Sequence, residues 1–391
     1  MPEPGGTART DHAFHSPRSS LPYRILVLGG YGHFGGRICR ALAAHGPGIV
    51  LIVAGRDARK AQQAARILGA PHEGVALDYT AADLAARLQA LRVQAVVHTC
   101  GPFQGQSYHV AQACITAGAH YIDLADGREF VAGIAALDEA ARAANVLVTA
   151  GASTLPALSS AVIDEHRAHF ARLDSIDISI APGQQTPRGV ATLAAVLSYC
   201  GKPFSVWEAG RWQTAYGWQD MHRFRYPEFG RRWLARCDVP DLQLFPARYS
   251  GVTRVRFDAG LELAFAQWAF WLLAGVVRAG LIGNARVVAR LMQTWGAKFD
   301  WLGSDTGGMH IGVAGVDVNG QPARIDWHLV ARRGHGPEIP CMPAIVLARK
   351  LAAGTLTARG ALPCIGLMSL ADFAEAVNLA RLDIAWRTYF P

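Results

Sequence analysis

Residues 24–44 read RILVLGGYGHFGGRICRALAA, and this stretch decides the fold. The apolar run from Ile25 to Leu28 predicts a strand, and the pattern from Ile38 through Leu42 predicts a helix. A glycine-rich turn joins the two. This order of strand, turn and helix is the one that a dinucleotide-binding site requires. A purely structural glycine turn is the alternative interpretation.

Each glycine of the turn has its own predicted role. We expect Gly30 to permit the sharp bend after the strand and Gly32 to let the backbone approach a pyrophosphate. We expect Gly35 to let the helix pack closely on the strand. The first N–H groups of the helix carry a partial positive charge, so His33 and Phe34 are expected to lie beside bound phosphate.

The end of the second predicted strand indicates which nucleotide binds. NAD enzymes usually place Asp or Glu there, about 20 residues past the glycine turn, to hold the ribose hydroxyls. This chain carries Arg56 at that place, directly after Ala54 and Gly55. A guanidinium pairs with a 2′-phosphate and a carboxylate repels it, so Arg56 predicts NADP as the cofactor. The alternative is a solvated arginine at a helix start.

Further strands and helices alternate after Arg56, which predicts a doubly wound parallel sheet with ligands at the carboxyl ends of its strands. The remaining expected contacts with the cofactor lie at those ends: Asp78, Cys100, Gly101, Pro102 and Phe103. Tyr108 is the first candidate for a proton donor or polar contact near the nicotinamide, and Asp123 and Asp126 are the second. For each of these three residues a structural role is an equal alternative.

Composition limits the class of protein. The chain has 391 residues, of which 51% are hydrophobic and 17% charged, and this predicts two globular domains. The net charge of +8 comes from scattered arginines, so we expect no nucleic-acid partner, whereas anionic cofactors or an acidic lipid surface fit. Seven dispersed cysteines predict reduced thiols in a cytoplasmic protein, and the absence of CxxC and HExxH spacing predicts no metal site. Residues 1–22 are expected to be a disordered leader.

Several segments resemble the saccharopine dehydrogenase-like family, also called saccharopine reductase-like. They are the glycine turn, AGR at 54–56, GPF at 101–103 followed by Tyr108, HYIDLADG at 120–127, and GHGPEIPCMPAIVLARKLAAGTLTARGAL at 334–362. The last segment is similar to the family's closing helix, which returns to the nucleotide domain after the substrate domain. This chain departs from the family pattern at His109 and Arg128, where substrate would lie, so saccharopine itself is not implied as the substrate.

The resemblance implies an α/β protein of two domains. A Rossmann-type doubly wound parallel sheet would comprise residues 23–154 and 336–391. An inserted α/β (α+β) substrate and dimerisation domain would comprise residues 155–335. The family also implies a small-molecule substrate and a homodimer.

Local patterns within the insertion support this division. Ser175 to Ala181 alternates as a strand, and Gly189 to Tyr199 is expected to be helical. Gly312 to Val318 and Pro322 to Val330 flank Asn319-Gly320, which predicts a hairpin with a type I′ turn. The segment from 207 to 236, rich in Trp and Arg, has no spacing that assigns it to an element.

The most hydrophobic stretch, Leu261 to Val277, must be tested as a membrane span. A span needs about 20 apolar residues, but Glu262 and Gln267 interrupt this run and Arg278 closes it, so we predict that it does not span. One interpretation is a buried helix or dimer face. The other is a surface helix that contacts lipid, peripherally to the membrane, or accepts a long acyl substrate.

Two functions from different classes follow from these observations. The first is an NADP-dependent oxidoreductase that transfers a hydride to or from a C=N, C=C or C=O bond. Its substrate would be an amino-acid imine, as the saccharopine branch implies, or an apolar, lipid-like enone. The second is a regulatory protein that binds NADP(H) without turnover.

Overall fold

The computed structural model describes residues 22–46, 48–186, 198–281 and 297–390. The expected leader at 1–22 lies outside these ranges except for its last residue. The helix expected from Gly189 to Tyr199 also lies outside them, apart from its last two residues.

The described strands alternate with helices in the first part of the chain. In chain order the strands are β1 (Tyr23–Leu28), β2 (Ile49–Gly55), β3 (Glu73–Ala76), β4 (Ala95–His98), β5 (His120–Asp123), β6 (Leu147–Ala150), β7 (Phe170–Ala181), β8 (Pro203–Glu208), β9 (Arg211–Tyr216), β10 (His222–Tyr226), β11 (Gly230–Arg236), β12 (Arg254–Ala259), β13 (Gly307–Asp317), β14 (Pro322–Ala331), β15 (Gly360–Pro363) and β16 (Ile384–Tyr389). The described α-helices are α1 (Gly35–His45), α2 (Ala58–Leu68), α3 (Leu84–Ala90), α4 (His109–Ala117), α5 (Arg128–Gly133), α6 (Asp138–Ala143), α7 (Ser159–His166), α8 (Asp241–Arg248), α9 (Ala264–Arg278), α10 (Met342–Ala352) and α11 (Leu370–Leu379).

The first sheet has seven parallel strands in the order β15-β6-β5-β4-β1-β2-β3. Alternate residues of β1 face opposite layers: Ile25 packs on one side with α1, and Leu26 packs on the other with α3 and α4. The strand order reverses between β1 and β4, so their carboxyl ends border a crevice. The predicted doubly wound sheet is confirmed.

The helix predicted to return to the first sheet is α10. Its residues from Met342 to Ala348 are buried, and it packs against α1, β4 and β5. A short 3₁₀ turn, Gly336–Cys341, precedes α10 and contacts the start of α1. The chain therefore comes back beneath the glycine-rich turn after it has built the second sheet.

The second sheet is mixed and has nine strands. Seven follow the order β10-β11-β12-β7-β13-β14-β16, and the hairpin of β8 and β9 attaches to β12. Only β12 and β7 pair in parallel among these strands. The segment from 207 to 236, which the sequence left unassigned, thus forms strands β8 to β11.

Two expectations for this sheet need correction. Residues 336–391 were expected to lie entirely with the nucleotide-binding sheet, but β16 pairs with β14 in the second sheet, with Trp327 opposite Thr388. The hairpin of β13 and β14 forms as predicted, yet its turn is not type I′, because Gly320 has a φ of +81° and Asn319 stays outside the left-handed region. The N–H of Asp317 donates to the carbonyl of Gln321 at 2.8 Å, so the loop has three residues and ends on a left-handed glycine.

The apolar segment forms α9, a helix of 15 residues. No helix within the described ranges is long and apolar enough to cross a membrane. Phe270 and Leu273 are buried against the second sheet, while Phe265, Trp268 and Leu272 are 52%, 41% and 58% exposed. One side of α9 is therefore core, and the other is an uncovered apolar surface within the described structure.

Candidate active site

The turn after β1 is held by its own backbone hydrogen bonds. The N–H of Gly30 donates to the carbonyls of Val27 and Ala54 at 3.1 and 3.2 Å, and the N–H of Gly32 donates to the carbonyl of Gly29 at 2.7 Å. Gly29 has a φ of +75°, so the sharp bend expected at Gly30 begins one residue earlier.

Gly35 is the first residue of α1 and lies against this turn. A Cβ atom on Gly35 would be 2.2 Å from the carbonyl oxygen of Gly29 and 2.9 Å from the Cα atom of Gly30. The neighbouring Gly36 is different, since a Cβ atom there would be 3.7 Å from its nearest neighbours. Only position 35 therefore requires a glycine for helix and strand to touch.

The amino end of α1 is open to a ligand. No side chain caps the helix, and its first turn has no acidic residue. The N–H groups of His33 and Phe34 donate to no acceptor in the described part of the chain. Arg37 stabilises this loop, because its guanidinium donates to the carbonyl of His33 at 2.6 Å and forms an ion pair of 2.9 Å with Glu338. These free donors at the positive end of a helix fit a pyrophosphate.

Arg56 follows β2 directly and is exposed. It forms no hydrogen bond or ion pair with any residue that the structure describes. Asp78 is nearby, and hydrogen bonds from the backbone and hydroxyl of Thr80 (2.9 and 2.8 Å), helped by the charge of Arg56, hold the pKa of its carboxyl below its usual range. The guanidinium of Arg56 is therefore available to a phosphate at the strand end.

Tyr31 belongs to this region, although the sequence did not single it out. A Cβ atom on Gly55 would be 2.5 Å from the Tyr31 ring, and the Tyr31 hydroxyl accepts a hydrogen bond of 3.1 Å from the N–H of Asp57. The ring therefore covers the end of β2 beside Arg56. Its position between Gly30 and Gly32 was the available signal.

The loop after β4 carries four of the predicted cofactor contacts. The side-chain amide of Gln106 donates to the carbonyls of Cys100 and Pro102 at 2.9 and 2.7 Å, which fixes the loop around Gly101. Phe103 is buried. Burial raises the pKa of the Cys100 thiol to about 11, so the group is a neutral thiol at physiological pH. Cys100 can contact a ligand but does not supply a thiolate.

The candidates for proton transfer differ in their surroundings. The hydroxyl of Tyr108 donates to the carbonyl of Phe130 at 2.8 Å, and burial raises its pKa. Asp123 is completely buried beneath the sheet end, where Oδ1 accepts the N–H groups of Ala125 and Gly151 at 2.9 and 2.8 Å. Burial raises the pKa of Asp123 to about 7. Tyr108 and Asp123 are thus both tied to the backbone.

Asp126 alone of the three is exposed. Its Oδ1 accepts a hydrogen bond of 3.1 Å from the side chain of Gln104. The protein around this carboxyl excludes enough water to raise its pKa above the usual range. Asp126 therefore combines access with a proton held more tightly than in a free aspartic acid.

Gln104 also lines a cavity of about 650 Å³ between the two domains. Gly127 and Arg128 contribute to the cavity from the first domain, and Phe204 and Trp212 from the second. Arg128 crosses the gap, with its Nε 2.9 Å from Asp238 and its Nη1 donating to the carbonyl of Ser205 at 2.8 Å. The cavity thus lies between the segments that follow β4 and β5 and a wall from the second domain.

This arrangement defines a dinucleotide-binding fold with a second domain beside the carboxyl ends of its strands. Residues 25–169 match the family described as "Saccharopine dehydrogenase NADP binding domain". The match covers the nucleotide-binding domain and part of the segment that follows it, and it indicates NADP as the cofactor.

A comparison with solved structures finds matches of low sequence identity. The apo histidine-tagged saccharopine dehydrogenase (L-Glu forming) from Saccharomyces cerevisiae has a TM-score of 0.65 and 15% identity, over 94% of this chain and 100% of that one. The amine dehydrogenase from Mycobacterium smegmatis has a TM-score of 0.45 and 12% identity, over 90% of this chain and 96% of that one. At 15% identity the match to the yeast enzyme concerns the fold alone. A comparison with curated proteins finds no match.

Replacing Gly35 and Gly36 separately should distinguish close packing from helix propensity. Gly35→Ala forces a Cβ into the Gly29 carbonyl, so we expect a loss of about 1–3 kcal/mol in the free energy of unfolding and much weaker NADPH binding. Gly36→Ala, the matched control, should keep both. Denaturant unfolding and NADPH titration measure the two effects, and equal behaviour of the two variants would contradict the packing argument.

Burial of Asp123 should make stability depend on pH. Its folded-state pKa of about 7 is above that of an unfolded aspartate, so the native state holds the proton more tightly. The resulting stabilisation is complete below the unfolded value and is lost as pH rises through the folded value. Asp241 is also buried with its pKa raised to about 7, so part of this slope remains in any single variant.

We therefore expect the melting temperature of Asp123→Asn to fall less than that of the parent between about pH 5 and about pH 8. The amide oxygen can still accept the N–H groups of Ala125 and Gly151. Asp83→Asn on the exposed start of α3 is the control and should follow the parent. Parallel curves for all three proteins would show that Asp123 does not titrate in this range.

Proposed function

We propose that the protein transfers a hydride between the nicotinamide of NADP and a C=N, C=C or C=O bond of a small-molecule substrate. The observation that carries this proposal is the position of the 650 Å³ cavity, which opens beside the loop that follows β4. When bound, NADP supplies the hydride. The chain itself has to place the substrate, limit water and manage one proton.

Binding of the cofactor is assigned to groups already at the strand ends. The glycine turn and the N–H groups of His33 and Phe34 would hold the pyrophosphate. Arg56 would hold the 2′-phosphate, because its guanidinium has no partner within the described structure. The loop at 100–103, fixed by Gln106, would lie along the nicotinamide.

The lining of the cavity bears on the substrate class. Arg128 is the only cation among its described lining residues, and it is already paired with Asp238. A substrate with several carboxylates, such as an amino-acid imine, would find no free cation there. Three aromatic side chains, Phe130, Phe204 and Trp212, share the remaining wall with polar residues that include Gln104 and Gln243. These features favour an unsaturated or carbonyl compound of apolar character.

Asp126 is the residue that we assign to proton transfer. It is accessible, it is oriented by Gln104, and its raised pKa keeps it protonated to a higher pH than an ordinary aspartate. In the direction of reduction it would give its proton to the substrate atom that does not receive the hydride. Tyr108, whose proton is directed at the Phe130 carbonyl, is left with a positioning role.

The same contact keeps the second function open. A protein in which neither Tyr108 nor Asp126 delivers a proton would bind NADPH and oxidise it on no substrate. Turnover of a substrate panel separates the two functions. A conjugated enoyl thioester, an aldehyde and an imine formed from a 2-oxo acid and an amine represent the three bond types, and consumption of NADPH is the measurement.

Arg56→Ala should weaken NADPH binding selectively. A charge-assisted contact of about 1.5–3 kcal/mol corresponds to roughly a tenfold to hundredfold rise in Kd for NADPH, with the Kd for NADH unchanged. Arg66→Ala, at the opposite end of α2, is the control. Calorimetric titration of both nucleotides provides the comparison, and equal weakening of NADPH and NADH would exclude the 2′-phosphate contact.

Asp126→Asn should lower kcat with whichever panel member is reduced, by about 10²- to 10⁴-fold, and leave NADPH binding intact. In the parent, the rate of reduction should fall as pH rises through the raised pKa of Asp126, because the protonated carboxyl is the donor. The variant should lose this limb of the pH profile. An unchanged profile in Asp126→Asn would assign the proton to another group.

A further inference from the structure

The second domain contains a cavity of its own, of about 780 Å³, between the hairpin of β8 and β9, strand β11 and helix α9. All of its described lining residues fall between 206 and 278, so the nucleotide domain contributes none of them. We propose that this cavity binds a small amphipathic carboxylate, with its apolar body against the tryptophans and its carboxylate at Arg278. This site goes beyond the proposed hydride transfer and does not depend on it.

The apolar part of the site consists of three tryptophans. Trp233 and Trp268 meet edge to face with their ring centroids 5.3 Å apart, and Trp268 meets Trp271 in the same way at 5.5 Å. The side chain of Gln219 donates to the carbonyl of Trp271 at 3.0 Å and fixes that end of the wall. Trp268 is 41% exposed although its ring is largely apolar. A ligand with an aliphatic or aromatic body would remove this surface from water.

The acidic residues of the lining are already neutralised. Arg236 is only 7% exposed and forms ion pairs with Glu208 at 2.7 Å and Asp220 at 2.9 Å. Asp220 has a second arginine partner, Arg256, at 3.2 Å. Neither carboxylate is therefore available to attract a cationic ligand.

Arg278 is the charge in this lining that remains uncompensated. Its guanidinium lies over the ring of Tyr216, 4.0 Å from the centroid, and pairs with no carboxylate in the described part of the chain. The aromatic contact holds the cation in place without neutralising it. An exposed cation beside a tryptophan wall selects a ligand that has a negative head and an apolar body.

Decanoate, used at monomeric concentrations, and decan-1-ol, its neutral counterpart, test this site by calorimetric titration and tryptophan fluorescence. We expect saturable binding of one decanoate per full-length chain, with similar Kd in the presence and absence of NADPH. Arg278→Gln should raise the Kd for decanoate by about five- to tenfold and leave decan-1-ol unaffected. Trp268→Ala should weaken both ligands, and Arg66→Gln on α2 should weaken neither.

The side chains of Arg278 and Trp268 are exposed, so both variants should fold. Their melting temperatures check this. Failure of decanoate to saturate the parent, or an unchanged Kd in Arg278→Gln, would overturn the proposal. Flotation with vesicles of acidic phospholipid, without binding of monomeric decanoate, would overturn it in favour of a membrane-contact surface. The experiment measures ligand binding and not NADPH consumption. Loss of this site can therefore be detected independently of any failure of hydride transfer.

Discussion

The structure depends on one close approach, between the first residue of α1 and the carbonyl oxygen of Gly29. A Cβ atom at position 35 would overlap that oxygen, so helix and strand meet at a distance that only glycine allows. The consequence is electrostatic as well as steric, because the positive end of α1 is brought to the crevice between β1 and β4. Arg37 and Glu338 then fasten the same turn to the segment that returns from the second domain.

Polar contacts of Arg128 also join the second domain to the first. Arg128 begins α5 in the first domain, yet its partners are Asp238 and the backbone of β8. Such a partly buried ion pair, supported by a main-chain acceptor, positions the two walls relative to each other more than it stabilises the fold. Arg128 therefore links the wall contributed by the first domain to the wall contributed by the second.

The sequence was sufficient for the first domain because its signals are local. Continuous apolar strands such as 49–54 can be buried only in a covered parallel sheet, and the glycine spacing identifies the turn. The second sheet was harder to foresee. Strands β8 to β11 mix Trp and Arg without clear alternation, and β16 finds β14 across more than fifty residues, so their pairing depends on tertiary packing.

The residues of the candidate site show the same contrast between local signals and tertiary packing. Arg56 could be chosen from its place after β2, but the difference between Tyr108, Asp123 and Asp126 could not. Three polar residues near strand ends look alike in sequence, and only packing decides which is covered. Tyr108 contacts the Phe130 carbonyl, Asp123 accepts the N–H of Gly151, and Asp126 stays exposed. All three outcomes depend on how separate segments pack in space, which the sequence does not show.

The positions of β15 and β16 affect how the protein is made. Each is the outermost strand of its sheet, β15 beside β6 and β16 beside β14, and both are synthesised after every other described strand. Until β15 and β16 emerge from the ribosome, β6 and β14 each present an unpaired edge. Such edges promote aggregation between chains. The segment that contains β15 and β16 therefore completes one edge of each sheet late in synthesis.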